Sequence, residues 1–169
     1  MSRAFVKDND DAPDEPLPDR TVSEHPNYVT PRGLAQLGAR REQLEAERLE
    51  LARRAESEDD DSAADRLRYV DRDLRYYQRR LETAIEIGGS DRPADVVNFG
   101  AMITVREPRG AEERYTIVGE DETAPEEGLV SWVSPLGSAL GSARVGQTVT
   151  LRRPAGALEL TVVAIDHGR

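Results

Sequence analysis

The sequence predicts an α+β protein, an N-terminal antiparallel coiled-coil hairpin followed by a small antiparallel β domain. Three observations predict it. Leucines recur at heptad spacing in two separate stretches, an acidic run joins those stretches, and beyond Gly88-Gly89 the apolar spacing shortens to that of strands.

Residues 1–26 carry many acids, several prolines and few large apolar groups, and read as a disordered acidic tail. Residues 27–87 form the expected hairpin. Thr30 is a good N-cap, and Pro31 suits the first helical position, where its missing N–H costs nothing. Leu37, Leu44 and Leu51 mark one apolar series on the first helix. Leu34 and Ala55 mark a second, shared with Arg41 and Arg48. The second helix is expected to start near Ser62, with Leu67, Leu74 and Leu81 in one series and Val70, Tyr77 and Ala84 in the other. A short joining segment favours antiparallel neighbours. Each helix is expected to be on the order of 25 residues, or about 37 Å long.

Residues 88–94 read as a linker, and 95–169 as the β-rich domain. Short strands are expected at Val96–Phe99, Met102–Val105, Tyr115–Val118, Leu129–Val133, Val149–Leu151 and Leu158–Ile165. The Pro135–Ala143 stretch reads as a helical turn between strands.

Composition narrows the function. The net charge is -10, which argues against tight nonspecific binding of nucleic acid. Cysteine is absent, so disulfides and thiolate metal sites are excluded. No apolar run approaches the roughly 20 residues needed to cross a bilayer. Met1–Asp19 has no apolar core of a secretory signal, so a cytoplasmic protein is expected. Neither histidine, His25 or His167, has a catalytic neighbour in sequence, and no phosphate-binding glycine motif is present.

Asn27-Tyr28-Val29-Thr30-Pro31-Arg32-Gly33-Leu34 resembles the opening of the bacterial Gre (GreA/GreB) transcript-cleavage and elongation factors. Further pieces follow in that family's order: Val97-Asn98-Phe99-Gly100-Ala101, Tyr115-Thr116-Ile117-Val118-Gly119, Ser134-Pro135-Leu136-Gly137-Ser138-Ala139-Leu140, Val145-Gly146-Gln147-Thr148-Val149 and Pro154-Ala155-Gly156. The resemblance implies a C-terminal domain similar to FK506-binding proteins and a partner, RNA polymerase. It implies docking at the rim of the secondary channel through Ser134, Pro135, Leu136, Ala139 and Leu140. It also implies tip carboxylates that share a Mg2+ ion at the polymerase active centre, with no metal held by the free protein. Nucleic acid is then contacted only through the polymerase.

The acidic run Glu56-Ser57-Glu58-Asp59-Asp60-Asp61 supplies the candidate tip, with Glu58, Asp59, Asp60 and Asp61 as the Mg2+-facing acids. Magnesium is commonly held by one or two carboxylates plus substrate oxygens. The same run also reads as a solvated loop between helices. The family's usual tip, Gly-Asp-x-x-Glu-Asn-Ala-x-Tyr, is missing, and the hairpin is shorter by about three turns summed over both arms, or roughly 8 Å of reach. A cleavage-deficient, modulatory polymerase regulator is therefore expected, with an active cleavage factor as the alternative and no catalytic residue of its own. A peptidyl-prolyl isomerase is a second alternative, prompted by fold analogy and weakened by having only Phe99, Tyr115 and Trp132 as aromatics in the β half. Arg66, Arg68, Arg72, Arg75, Arg79 and Arg80 read chiefly as a charged helix face, with Asp71–Arg75 as an intrahelical pair. Seam arginines Arg41 and Arg48 disfavour an extended dimer, so a monomer is expected.

Overall fold

A computed structural model describes residues 17–57, 61–88 and 93–167. Strand β1 (Tyr28–Val29) leads into helix α1 (Pro31–Ser57). Helix α2 (Asp61–Glu82) returns and ends at strand β2 (Ile85–Glu86). The helices are antiparallel, with Glu47 against Arg66 at 2.8 Å and Arg48 against Asp71 at 2.6 Å. Their seam buries Leu44, Leu51, Ala63 and Val70, with Leu67, Leu74 and Tyr77 packed beside them. The heptad reading holds over this stretch, but Arg48 is exposed rather than in the seam, and Ala84 lies beyond the end of α2 at Glu82. Thr30 caps α1 as expected, its hydroxyl accepting from the Gly33 N–H at 3.0 Å. Helix α2 begins at Asp61, one residue before the expected cap at Ser62.

The base of the hairpin is stapled. β1 and β2 pair in parallel, Tyr28 opposite Ile85 and Val29 opposite Glu86. The Asn27 side-chain amide donates to the Arg80 carbonyl at 2.7 Å and to the Thr83 hydroxyl at 3.2 Å. This ribbon had no signal in the sequence, because two residues are too few to show a period.

The β body is a single sheet of strands β3 (Met102–Arg106), β4 (Glu112–Val118), β5 (Leu129–Ser131), β6 (Thr148–Arg153) and β7 (Gly156–Asp166), in the order β5-β4-β3-β7-β6. Helix α3 (Pro135–Leu140) lies between β5 and β6 in sequence. The core beneath contains Ile103, Val105, Ile117, Leu140, Leu160 and Val162.

The sheet is antiparallel-rich as expected, and two details differ. One pair, β4 and β5, runs parallel, with Thr116 opposite Leu129. Two 3-10 turns, Glu120–Glu122 and Pro125–Glu127, carry the chain back to start β5 beside β4. Gly128 closes that return at φ 74°, and a Cβ there would stand 2.6 Å from the Arg114 carbonyl oxygen. The expected strand at Val96–Phe99 is also absent. Val96 makes one isolated bridge to Arg144, and the chain then turns, with Gly100 at φ 82°. Val97 is still buried, so its apolar character reports the core rather than a strand.

The expected tail extends to residue 26, but residues 17–25 make defined contacts. Asp19 meets Arg75 at 2.6 Å, and Arg20 lies 3.8 Å over the Tyr76 ring. Residues 1–16 of that expectation lie outside the described residues.

Candidate functional site

The hairpin is mounted on the β body by two adjacent acids of one 3-10 turn. Asp121 accepts from the Arg80 Nε at 2.5 Å and from the Tyr76 hydroxyl at 2.6 Å. The Arg80 side chain is only 2% exposed, so this is a buried charge with its partner in place. Burial pushes the Tyr76 phenol up to about 12, and the bond to Asp121 adds to it. Glu122 reaches the other helix. Its carboxylate accepts from the Thr30 N–H at 3.0 Å, from the Thr30 hydroxyl and from the Gly119 N–H at 3.1 Å. The negative group thus sits at the N-terminus of α1, where free N–H groups favour it.

Glycine makes this approach feasible. A Cβ on Gly33 would lie 2.0 Å from the Glu122 carboxyl carbon. A Cβ on Gly119 would lie 2.4 Å from the Tyr28 carbonyl oxygen. Both positions bring the α1–β1 unit and the 3-10 turn within direct bonding distance.

The second feature is the segment after β5. Ser134 caps α3 through the Gly137 N–H at 3.0 Å, and Pro135 occupies the first turn. Gly137 permits close packing on β5, since a Cβ there would stand 2.2 Å from the Ser131 carbonyl oxygen. Pro135 and Ser138 are exposed, Leu136 and Ala139 are half-buried against the core, and Leu140 is fully buried. Leu140 therefore supports this segment from beneath rather than presenting itself to a partner.

Beside α3 is a cavity of about 550 Å³ with aromatic walls. Tyr28 stands 5.0 Å from Trp132 and 6.2 Å from Phe99, ring centre to ring centre. His25 meets Trp132 edge-on at 5.8 Å. The Trp132 indole nitrogen is buried without a hydrogen-bond partner among the described residues.

The family pattern described as transcription elongation factor GreA/GreB, C-term, matches residues 92–167. Over 157 residues the chain is 33% identical to transcription elongation factor GreB of Neisseria meningitidis serogroup B (strain ATCC BAA-335 / MC58), covering 86% of this chain and 96% of that protein. The chain belongs to the GreA/GreB family. It is also 35% identical to transcription elongation factor GreA of Chloroflexus aurantiacus (strain ATCC 29366 / DSM 635 / J-10-fl), covering 85% of this chain and 99% of the relative. Among solved structures, GreA factor homolog 1 (Gfh1) of Thermus thermophilus aligns over 84% of this chain and 99% of its own at 23% identity, with a TM-score of 0.40, too loose a superposition to carry an argument.

In this Gre-family chain the tip acids Glu58, Asp59 and Asp60 lie outside the described residues. Asp61 opens α2. Among the described residues no group of three or more histidines or acids is placed to hold a metal ion, and no helix is long and apolar enough to cross a membrane.

Sequence reasoning missed the joint. Asp121 and Glu122 belong to no motif, and Arg80 was expected only as part of a charged helix face. Asp71 was expected to pair with Arg75 but turns to Arg48, leaving Arg75 to Asp19. The available signal was Gly33 and Gly119, each an apparently unforced glycine beside a structured element.

Proposed function

We propose that this elongation factor binds RNA polymerase through the α3 segment of its β body and inserts its hairpin into the secondary channel, acting by occupancy rather than by strong stimulation of RNA cleavage. Family membership supports the partner. The observation that carries the reading is the joint, because a rod can deliver a tip only if its base is fixed. Arg80–Asp121 and Thr30–Glu122 fix both helices of the rod to the body that docks. From Thr30, α1 with its 27 residues projects about 40 Å.

Ser134, Pro135, Leu136 and Ala139 form the docking surface, with Leu140 beneath them, and the Tyr28–Phe99–Trp132 cavity adjoins it. The tip acids Glu58, Asp59, Asp60 and Asp61 approach the Mg2+ of the polymerase, and the free chain holds none. The chain performs no catalysis of its own, acts as a monomer in the cytoplasm, and meets nucleic acid only inside the polymerase. The modulatory outcome rests on the tip, which lacks the family's usual pattern. The peptidyl-prolyl isomerase alternative finds no support, since the relatives are named as transcription elongation factors.

Stalled, backtracked elongation complexes test this reading. The expected result is altered pausing or initiation with little shortening of the nascent RNA. Mg2+-dependent shortening that is lost on changing Asp59, Asp60 and Asp61 to Ala would replace it with the active cleavage factor.

A further inference from the structure

We propose that residues 17–25 form a strap that holds the hairpin at a fixed angle to the β body. The segment has no helix or strand of its own, yet both of its ends are fastened. At the start, Asp19 pairs with Arg75 at 2.6 Å, and Arg75 also donates to the Leu17 carbonyl at 3.2 Å. Arg20 stacks 3.8 Å over the Tyr76 ring and lies 3.7 Å from Asp73. All of these anchors are on α2. At the other end, His25 meets Trp132 of the β body, and the chain enters β1 three residues later at Tyr28.

The fastening point is not arbitrary. Tyr76 is the side chain whose hydroxyl ties α2 to Asp121. Arg20 covers one ring of this joint, and Tyr77 stands edge-on to the same ring at 5.3 Å. A planar guanidinium over a tyrosine face is attracted by the ring and restricts its rotation. The strap therefore clamps the residue on which the joint turns, and bridges that residue to the body beyond it. The geometric gain is large, because a rotation of about 10° at the base moves the end of a 40 Å rod by roughly 7 Å.

The absence of cysteine makes a direct test practical. Spin labels on Ala46→Cys in α1 and Thr150→Cys in β6, both exposed positions, report the distance between rod and body in the full chain. The expected result is one narrow distance distribution. Adding Asp19→Ala and Arg20→Ala should broaden it roughly two-fold as further orientations become populated. With Arg20 intact, Asp19→Arg alone should also broaden it, and adding Arg75→Asp should restore the narrow form. An unchanged width in the alanine variant, or a broad distribution that the charge exchange leaves broad, overturns the strap. Neither result depends on polymerase binding, so the proposed function stands or falls separately.

Discussion

Arg80 and Asp121 lie 41 residues apart in sequence and meet at 2.5 Å, with the arginine almost wholly sealed from water. Removing one member leaves the other charge without its partner in a dry place. Arg80→Ala is expected to lower unfolding free energy by about 3 kcal/mol, the low end for a broken buried pair because Asp121 retains some exposure. Urea titration measures this. A loss under about 1 kcal/mol would place the pair with ordinary surface bridges.

Gly33 and Glu122 give a prediction that changes sign. Gly33→Ala forces the Glu122 carboxylate out of its site and should cost about 2 kcal/mol. Once Glu122→Ala has emptied that site, the same change should be neutral or stabilise by up to about 1 kcal/mol, since alanine is the better helix former. The two substitutions are thus coupled. Additive losses in a double-mutant cycle would contradict the close approach.

Tyr76 and Tyr115 should both ionise late. Burial raises each phenol to about 12, with hydrogen bonds to Asp121 and Glu113 adding to the effect. A folded-state value above the ordinary 10 means that the contribution is fully present below pH 10 and is lost as pH rises from about 10 to about 12. Ultraviolet titration of the native protein should show a late phenolate step, reduced by Tyr76→Phe. A Tyr76→Phe curve that superimposes on the parent would refute the assignment.

Within the docking segment, stability and binding should separate. Leu140→Ala empties a fully buried core site and should cost about 3 kcal/mol. Pro135→Ala changes an exposed residue and should alter stability by no more than about 0.5 kcal/mol. The same change should weaken polymerase binding by roughly ten-fold if Pro135 touches the partner. Binding by fluorescence anisotropy beside thermal unfolding distinguishes the two effects, and undiminished affinity for the Pro135→Ala protein would move the docking surface elsewhere.

The hairpin was legible because its information is periodic. Leu44, Leu51 and Val70 repeat a helical spacing, and Thr30-Pro31 marks a start by local chemistry alone. Strands β3, β4, β6 and β7 were legible for the same reason. The parallel β4–β5 pair was not, because direction depends on how the Glu120–Glu122 and Pro125–Glu127 turns fold, and no periodic pattern records that. The joint was illegible for a deeper reason. Arg80, Asp121, Glu122 and Thr30 are distant in sequence, and each has an ordinary local explanation as a surface charge or a cap. Only folding brings them together. His25 shows the same limit, since nothing near it in sequence foretells Trp132.

The two-residue parallel ribbon at the hairpin base also dictates an order of assembly. Asn27 must find Arg80 across 53 residues, and that closure carries a heavy entropic cost while the intervening chain is loose. Zipping α1 against α2 shortens the effective loop first, through contacts that are mostly local. The staple and the acids that grip it then close late and open early. Heating or denaturant should consequently release the rod from its mount while the seam between Leu44 and Val70 remains zipped.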